Sequence, residues 1–389
     1  MLPNAHTNLI QQIHASGKQI VLAVTGGGSG AIAALLTVPG ASASVLEAIV
    51  PYAENSLAGW LGGAPDNACS ERTARAMAMA AFSRAQILSD ADPYALVGIG
   101  ATASLVSTRP KRGPHRVHVA WQTAEATVAF SCELTKGDRT RTEEEASVTA
   151  LVLDAIADAV GIDVGKVSAD LIHEKVARRE KRAPKAWSDL LLGKRSTIVF
   201  DGPTSDDAAL PREPTIARGV VFPGAFNPIH AGHDRMALIA AARYGSPVLF
   251  ELSLLNVDKP PLDFLELDDR LQNLAGKRVV VTRAPTFVEK ARLLPGSTFL
   301  VGADTISRIA DPRYYDGDSA LRDEAVSSIA SAGCRFLVFG RLIENQFQTL
   351  EDFDLTETLV AICDEVPESA FRADISSTEL RNTATHISM

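Results

Sequence analysis

Twice in this chain an apolar, β-branched run opens onto a glycine-rich turn and then a helix-forming stretch. The first case is QIVLAVT–GGGSG–AIAALLT from Gln19, and the second is GVVF–PGAFNPIHAG–HDRMALIAAARY from Gly219. A strand that runs straight into a helix returns as a parallel neighbour, so the unit predicts a parallel sheet covered by helices. The second half repeats the alternation. Strand-like PVLFELS, RVVVTRA, STFLV and CRFLVFG are separated by helix-like LELDDRLQNL and FVEKARLL. This pattern predicts a doubly wound, Rossmann-like parallel sheet, whose ligands bind beyond the carboxyl ends of the strands. The first half adds strand candidates ALVGIGAT, RVHVAWQT and ATVAFSCEL, then a helix from about Thr142 to Val160 with an acidic first turn.

Between these halves the character changes. HEKVARREKRAPK reads as a basic helix, either a phosphate-binding or, more commonly, a solvated face, and DGPTSDDAALPREP as a polar connection. The expected organisation is therefore α/β with two domains, residues 1–160 and 218–389, joined by 161–217. Hydrophobic residues at 46% and charged residues at 22% suit a globular protein, and a formal charge of −9 argues against nucleic acid or an anionic membrane as partner. No apolar run approaches the roughly 20 residues of a membrane span. The opening MLPNAHTNLIQQIHASGK lacks the pattern of a secretory leader, and Cys69, Cys132, Cys334 and Cys363 form no CxxC pair. A reduced, cytoplasmic protein is expected.

His230 and His233 carry the strongest chemical signal, for the chain has only 8 histidines. Three readings compete: a metal site, a phosphate site, or a turn that happens to contain histidine. A zinc site needs three or four ligands, and this motif supplies two, so no metal ligands are assigned. Pro228 blocks helix before the pair, which places both imidazoles at a helix start, where amides and dipole favour an anion. Taken alone, a helix-capping turn explains the stretch equally well.

The stretch GAFNPIHAGH resembles the G-x-F-x-P-x-H-x-G-H signature of the HxGH nucleotidylyltransferase superfamily at Gly224, Phe226, Pro228, His230, Gly232 and His233. ISSTELR, from Ile375 to Arg381, is similar to the I-S-S-T-x-x-R motif of nicotinamide and nicotinate mononucleotide adenylyltransferases, and FLVGADT resembles their GAD strand end. The resemblance implies transfer of AMP from ATP to a mononucleotide with release of pyrophosphate. His230, His233 and Arg381 would be the catalytic contacts. Gly224, Ala225, Phe226, Gly232, Ser376, Ser377 and Thr378 would hold ATP, and Lys259, Gly302, Asp304 and Tyr314 would meet the acceptor. Mg²⁺ would travel on the phosphates. An N-cap is the competing role for Asp304, and a solvated loop lysine the competing role for Lys259. The family's tryptophan beyond the GAD strand is absent; ISRIADPRYYDGD offers Tyr314 or Tyr315 instead, which leaves the pyridine ring open between amide and acid. A different phosphorylated acceptor and a non-catalytic nucleotide-binding scaffold are the alternatives.

LTVPGASASVLEAIVPYAEN, with GDR at Gly137–Arg139, resembles the C-terminal domain of CinA, the nicotinamide mononucleotide amidase family. There the nucleophilic serine aligns with Gly26 and the lysine with Leu57, while Ser29 falls at a family glycine. The resemblance therefore implies a CinA-like α/β domain inactive as an amidase, with Arg139 as a surviving phosphate contact or an exposed arginine, and self-association into a homo-oligomer. Retained deamidation would make the chain bifunctional.

Overall fold

A computed structural model describes residues 4–108, 111–163, 167–201, 219–343 and 346–372. The chain divides into two compact units, Met1–Leu192 with Asp258–Leu267 and Gly193–Val257 with Asp268–Met389.

The first unit holds β1 (Gln19–Thr25), β2 (Val45–Ile49), β3 (Leu96–Ser104), β4 (His115–Gln122), β5 (Ala126–Leu134) and β6 (Ala177–Arg182), in the order β2-β1-β3-β4-β5-β6. β1 lies parallel to β2 and β3, and the remaining pairs are antiparallel. Six of the seven β1 residues are buried, as expected of a strand covered on both faces. One face packs Leu9, Ile10, Leu35, Val148 and Val152 from three helices against Ile20, Leu22, Ile99 and Val119. On β3, a Cβ at Gly98 would stand 2.1 Å from the Ala78 carbonyl oxygen, and one at Gly100 would stand 2.3 Å from that of Ala74. The helix Glu71–Leu88 therefore lies on bare strand backbone, and this contact requires both the glycines and the helix's alanines.

The basic stretch is not helical. Ala177–Arg182 pairs antiparallel with β5 as the edge strand β6. A helix of ARREKR would have no apolar stripe to bury, whereas an edge strand sets charges outward and resists further pairing. Its cations are matched: Arg178 with Asp158 and Glu180, Arg179 with Glu71, and Lys181 over the Trp187 ring. Asp258–Leu267, drawn from far along the chain, completes this unit. Buried Arg75 donates to Asp263 at 2.8 Å and to Glu266 at 3.4 Å, and the Phe264 N–H donates to Thr127 Oγ1 at 3.0 Å. Burial pushes the Asp263 carboxyl up, against the opposing pull of Arg75.

The second unit holds β7 (Thr197–Asp201), β8 (Val220–Pro223), β9 (Val248–Ser253), β10 (Arg278–Thr282), β11 (Thr298–Gly302), β12 (Arg335–Phe339), a hairpin of β13 (Arg341–Ile343) and β14 (Gln346–Gln348), and β15 (Cys363–Val366). The sheet order is β15-β12-β11-β8-β9-β10-β7, parallel except for β7 against β10. From β8 onward the order is that of a doubly wound sheet, with the direction of winding reversing between β8 and β11. The stretch read as a connection thus contributes β6, the helix Lys185–Leu191 and β7.

Candidate functional site

The loop after β8 and the helix start after β11 meet where the sheet reverses its winding. Gly224 donates its N–H to the Glu251 carbonyl at 3.0 Å, and a Cβ on it would stand 2.7 Å from the Phe226 ring. Phe226, at φ 45, packs its buried ring edge-on to Phe222 and Phe250. Glycine at 224 therefore makes room for the phenylalanine that seats the loop.

His230 caps the helix Ala231–Tyr244 in an extended conformation, and its backbone N–H donates to His233 Nδ1 at 3.2 Å. A ring nitrogen that accepts carries no proton, so in neutral His233 the proton sits on Nε2. The two imidazoles lie against each other with centroids 3.8 Å apart, their planes tilted by 34°. Burial pushes His233 down to about 4, with His230 and Arg341 adding to the effect. Burial, then Arg341, lowers His230 as well. Near neutral pH both rings are uncharged hydrogen-bonding groups. His230 Nδ1 is buried without a hydrogen-bond partner among the described residues.

At the end of β11, Gly302 rather than Asp304 is the N-cap of the helix Ala303–Ala310. A Cβ on Gly302 would stand 2.5 Å from Asp304 Oδ1, so the glycine lets this carboxylate fold back over the strand end. Asp304 Oδ2 accepts from Arg308 at 3.2 Å, while buried Oδ1 accepts no hydrogen bond among the described residues. Arg341, the first residue of β13, places Nε 3.8 Å from that Oδ1. Together these groups border a cavity of about 150 Å³ with Phe222, Phe287, Phe339 and Phe371. Sites for drug-sized ligands span roughly 300–1,000 Å³, so this space fits one polar portion of a ligand, such as a phosphoryl group.

The cavity brings together His230, Gly232, His233, Gly302 and Asp304. Gly224, Ala225 and Phe226 form the adjoining loop. Tyr314 lies in the exposed turn Pro312–Tyr314 and does not line the cavity, while Tyr315 donates its hydroxyl to the Ile309 carbonyl at 3.1 Å. Lys259 belongs to the segment completing the first unit, beside Gly63. Ser376, Ser377, Thr378 and Arg381 lie outside the described residues. Asp304, shared between two arginines, is the one carboxylate among the described residues that line the cavity. Arg341 escaped the sequence reading, although it is the first charge beyond the β12 run.

A second cavity, of about 310 Å³, opens beyond β1 and is lined by Thr25, Gly26, Gly27, Ser29, Tyr52, Arg141 and Glu145 among others. Glu145 Oε1 accepts from the Gly28 N–H at 2.9 Å, the Ser29 hydroxyl at 3.1 Å and the Gly30 N–H at 3.4 Å. The chain's own carboxylate thus fills the anion seat of the glycine loop. Leu57, where a catalytic lysine would fall, is buried against Ala23, Leu61 and Met77. Arg139 is neither exposed nor free for a phosphate. It grips Glu174 at 2.7 and 3.0 Å, holding that carboxyl down to about 2.

No family model matches the chain, and neither does any curated protein. Among solved structures it is similar to the competence/damage inducible protein CihA from Agrobacterium tumefaciens, at 22% identity over 41% of this chain and 97% of that one, with a TM-score of 0.32. A CinA superfamily protein from Escherichia coli matches at 19% identity over 41% and 91%, with a TM-score of 0.28. A competence or damage-inducible protein from Enterobacter asburiae matches at 17% over 44% and 100%, with a TM-score of 0.31.

Proposed function

We propose that the second unit is an adenylyltransferase that joins AMP from ATP to nicotinamide or nicotinate mononucleotide. The observation that carries this reading is the closely apposed His230–His233 pair. Both rings are held uncharged in a phosphoryl-sized cavity at the reversal point of the sheet. A phosphate oxygen of the mononucleotide attacks the α-phosphorus of ATP; that P–O bond forms as the bond to the bridging oxygen breaks, and pyrophosphate leaves with the electron pair. No covalent intermediate with the protein is needed, so catalysis rests on positioning and on stabilising charge. His233 donates Nε2–H toward the phosphoryl oxygens, its tautomer set by the His230 amide. His230 supplies a second, otherwise unpartnered ring nitrogen. Preorganised donors of this kind are worth about 10²–10³ in rate each. Mg²⁺, carried by the phosphates, would offset their charge. The Ser376–Arg381 motif would hold the β- and γ-phosphates by its resemblance to the family.

The first unit, on this reading, is not a hydrolase. The Gly28 and Gly30 amides and Ser29 already serve Glu145, and no lysine or histidine lines that cavity among the described residues.

The test is pyrophosphate release from ATP and Mg²⁺ with nicotinamide mononucleotide, nicotinate mononucleotide or no acceptor, with products identified by mass. Acceptor-dependent release with the matching dinucleotide is expected, together with a fall of about 10²–10³ in the His230→Ala variant. Silence with both mononucleotides sinks the reading.

A further inference from the structure

Three polar groups converge on the second unit's cavity without satisfying one another. Arg341 is the single lysine or arginine among the described residues that line it, and it makes no hydrogen bond among the described residues. Its nearest anionic atom, Asp304 Oδ1, stands at 3.8 Å, too far for a hydrogen bond. That oxygen is itself buried and bare, as is His230 Nδ1. A buried polar atom without a partner is costly, so two such atoms beside one loosely held cation mark a place where a ligand completes the set. The stem of Arg341 runs along the end of β11, with Cδ 3.8 Å from where a Cβ of Gly302 would be. Its Nε therefore stands at the reversal point, beside Asp304 Oδ1. The side chain is 44% exposed, which leaves the guanidinium room to turn.

We propose that Arg341 is a phosphoryl-binding cation of this cavity: phosphoryl oxygens of the ligand replace Asp304 as its partner, and Asp304 Oδ1, once released, accepts a hydrogen bond from a hydroxyl of the same ligand. The inference rests on the phosphoryl-transfer reading above and adds the exchange of partners to it. Guanidinium suits the task because its charge is permanent and its paired N–H groups match two phosphoryl oxygens. A carboxylate that attracts Arg341 without bonding it keeps the guanidinium near the cavity and gives it up readily. The ligand is then a molecule carrying both a phosphoryl group and a free hydroxyl, the chemistry of a nucleotide.

The test uses the full chain and titrates inorganic pyrophosphate and ATP, each with Mg²⁺, by calorimetry against wild type, Arg341→Gln and Asp304→Asn. Arg341→Gln should weaken both ligands by about 10- to 100-fold, the loss expected for charge-assisted hydrogen bonds. Its thermal midpoint should stay unchanged. Asp304→Asn should act in the opposite direction on pyrophosphate, binding it at least as tightly as wild type, because the competing anion is gone. Pyrophosphate affinity within twofold of wild type in Arg341→Gln would overturn the proposal, as would a wild type that binds neither ligand. Weaker pyrophosphate binding by Asp304→Asn would overturn the exchange. If wild type makes dinucleotide and Arg341→Gln matches it in binding and rate, the adenylyltransferase reading stands and this one falls. If the binding pattern holds but no mononucleotide is adenylylated, the reverse is true.

Discussion

Replacing Lys290 by methionine removes one charge and three hydrogen bonds from the interior of the second unit. Lys290 Nζ donates to Glu251 Oε1 at 2.9 Å, to Oε2 at 2.8 Å and to the Ala284 carbonyl at 2.8 Å. Methionine fills much the same volume, so packing is largely kept. What remains is the Glu251 carboxylate, 0% exposed, with the Thr282 hydroxyl at 2.5 Å as its surviving side-chain donor. Stripping one partner from a buried ion pair costs about 3–5 kcal/mol. The loss should centre on β9 and β10, where Glu251 and Thr282 sit, and reach the cavity through the Gly224 N–H bound to the Glu251 carbonyl. Trp60, Trp121 and Trp187 all belong to the first unit, so the readout is hydrogen exchange at the amides of Leu252 and Val279–Val281. Exchange there should speed up by roughly two to four orders of magnitude. The double variant Glu251→Leu, Lys290→Met should recover to within about 1 kcal/mol of wild type, because no charge is left unpaired. A single variant less than about 1 kcal/mol worse than wild type, or a double variant as damaged as the single, would refute the argument from charge burial.

The other predictions concern titration and contact. His233 is lowered from its ordinary 6.5 to about 4, so the unfolded chain takes up a proton that the folded second unit resists. Its contribution is therefore present above about pH 6.5 and is lost as pH falls toward 4, by up to about 3 kcal/mol. Hydrogen exchange of β8 and β11 in wild type and His233→Gln should show the variant with the flatter acid limb; identical limbs would discount the burial of that imidazole. Gly98→Ala should destabilise the first unit by more than about 1 kcal/mol, since the new methyl would overpack the helix–strand contact. Urea melts followed by tryptophan fluorescence check this, and an unmoved midpoint would mean that the helix Glu71–Leu88 shifts freely.

Some of this was readable in advance and some was not, for physical reasons. The βα units around Gln19 and Val220 announced themselves because β-branched runs, glycine turns and helical periodicity are local signals. His230, Gly232, His233, Gly302 and Asp304 stand out by resemblance to family motifs rather than by local signals, and the structure sets them around one cavity. The β6 stretch misled because ARREKR satisfies helical charge spacing, while its pairing with β5 depends on residues some 50 positions away. Glu145 went unnoticed for a stronger version of the same reason: its bond to Gly28 joins positions 117 apart, and that of Arg75 to Asp263 joins positions 188 apart. Arg341 carries no pattern at all. One arginine after an apolar strand becomes informative only when the bare Asp304 oxygen is found beside it.

The composition of the first unit has a consequence for the order of its birth. Residues 1–192 leave the ribosome well before Asp258–Leu267, which follow after about 65 more residues. Until then Arg75 has no Asp263 or Glu266, and Thr127 Oγ1 has no Phe264 amide to accept from. At a synthesis rate of about 5–20 residues per second this wait lasts some seconds, long compared with local helix and hairpin formation. The nascent N-terminal sheet therefore matures in two instalments, and a gene cut at residue 192 would yield only the first of them, with a buried guanidinium waiting for carboxylates that never arrive.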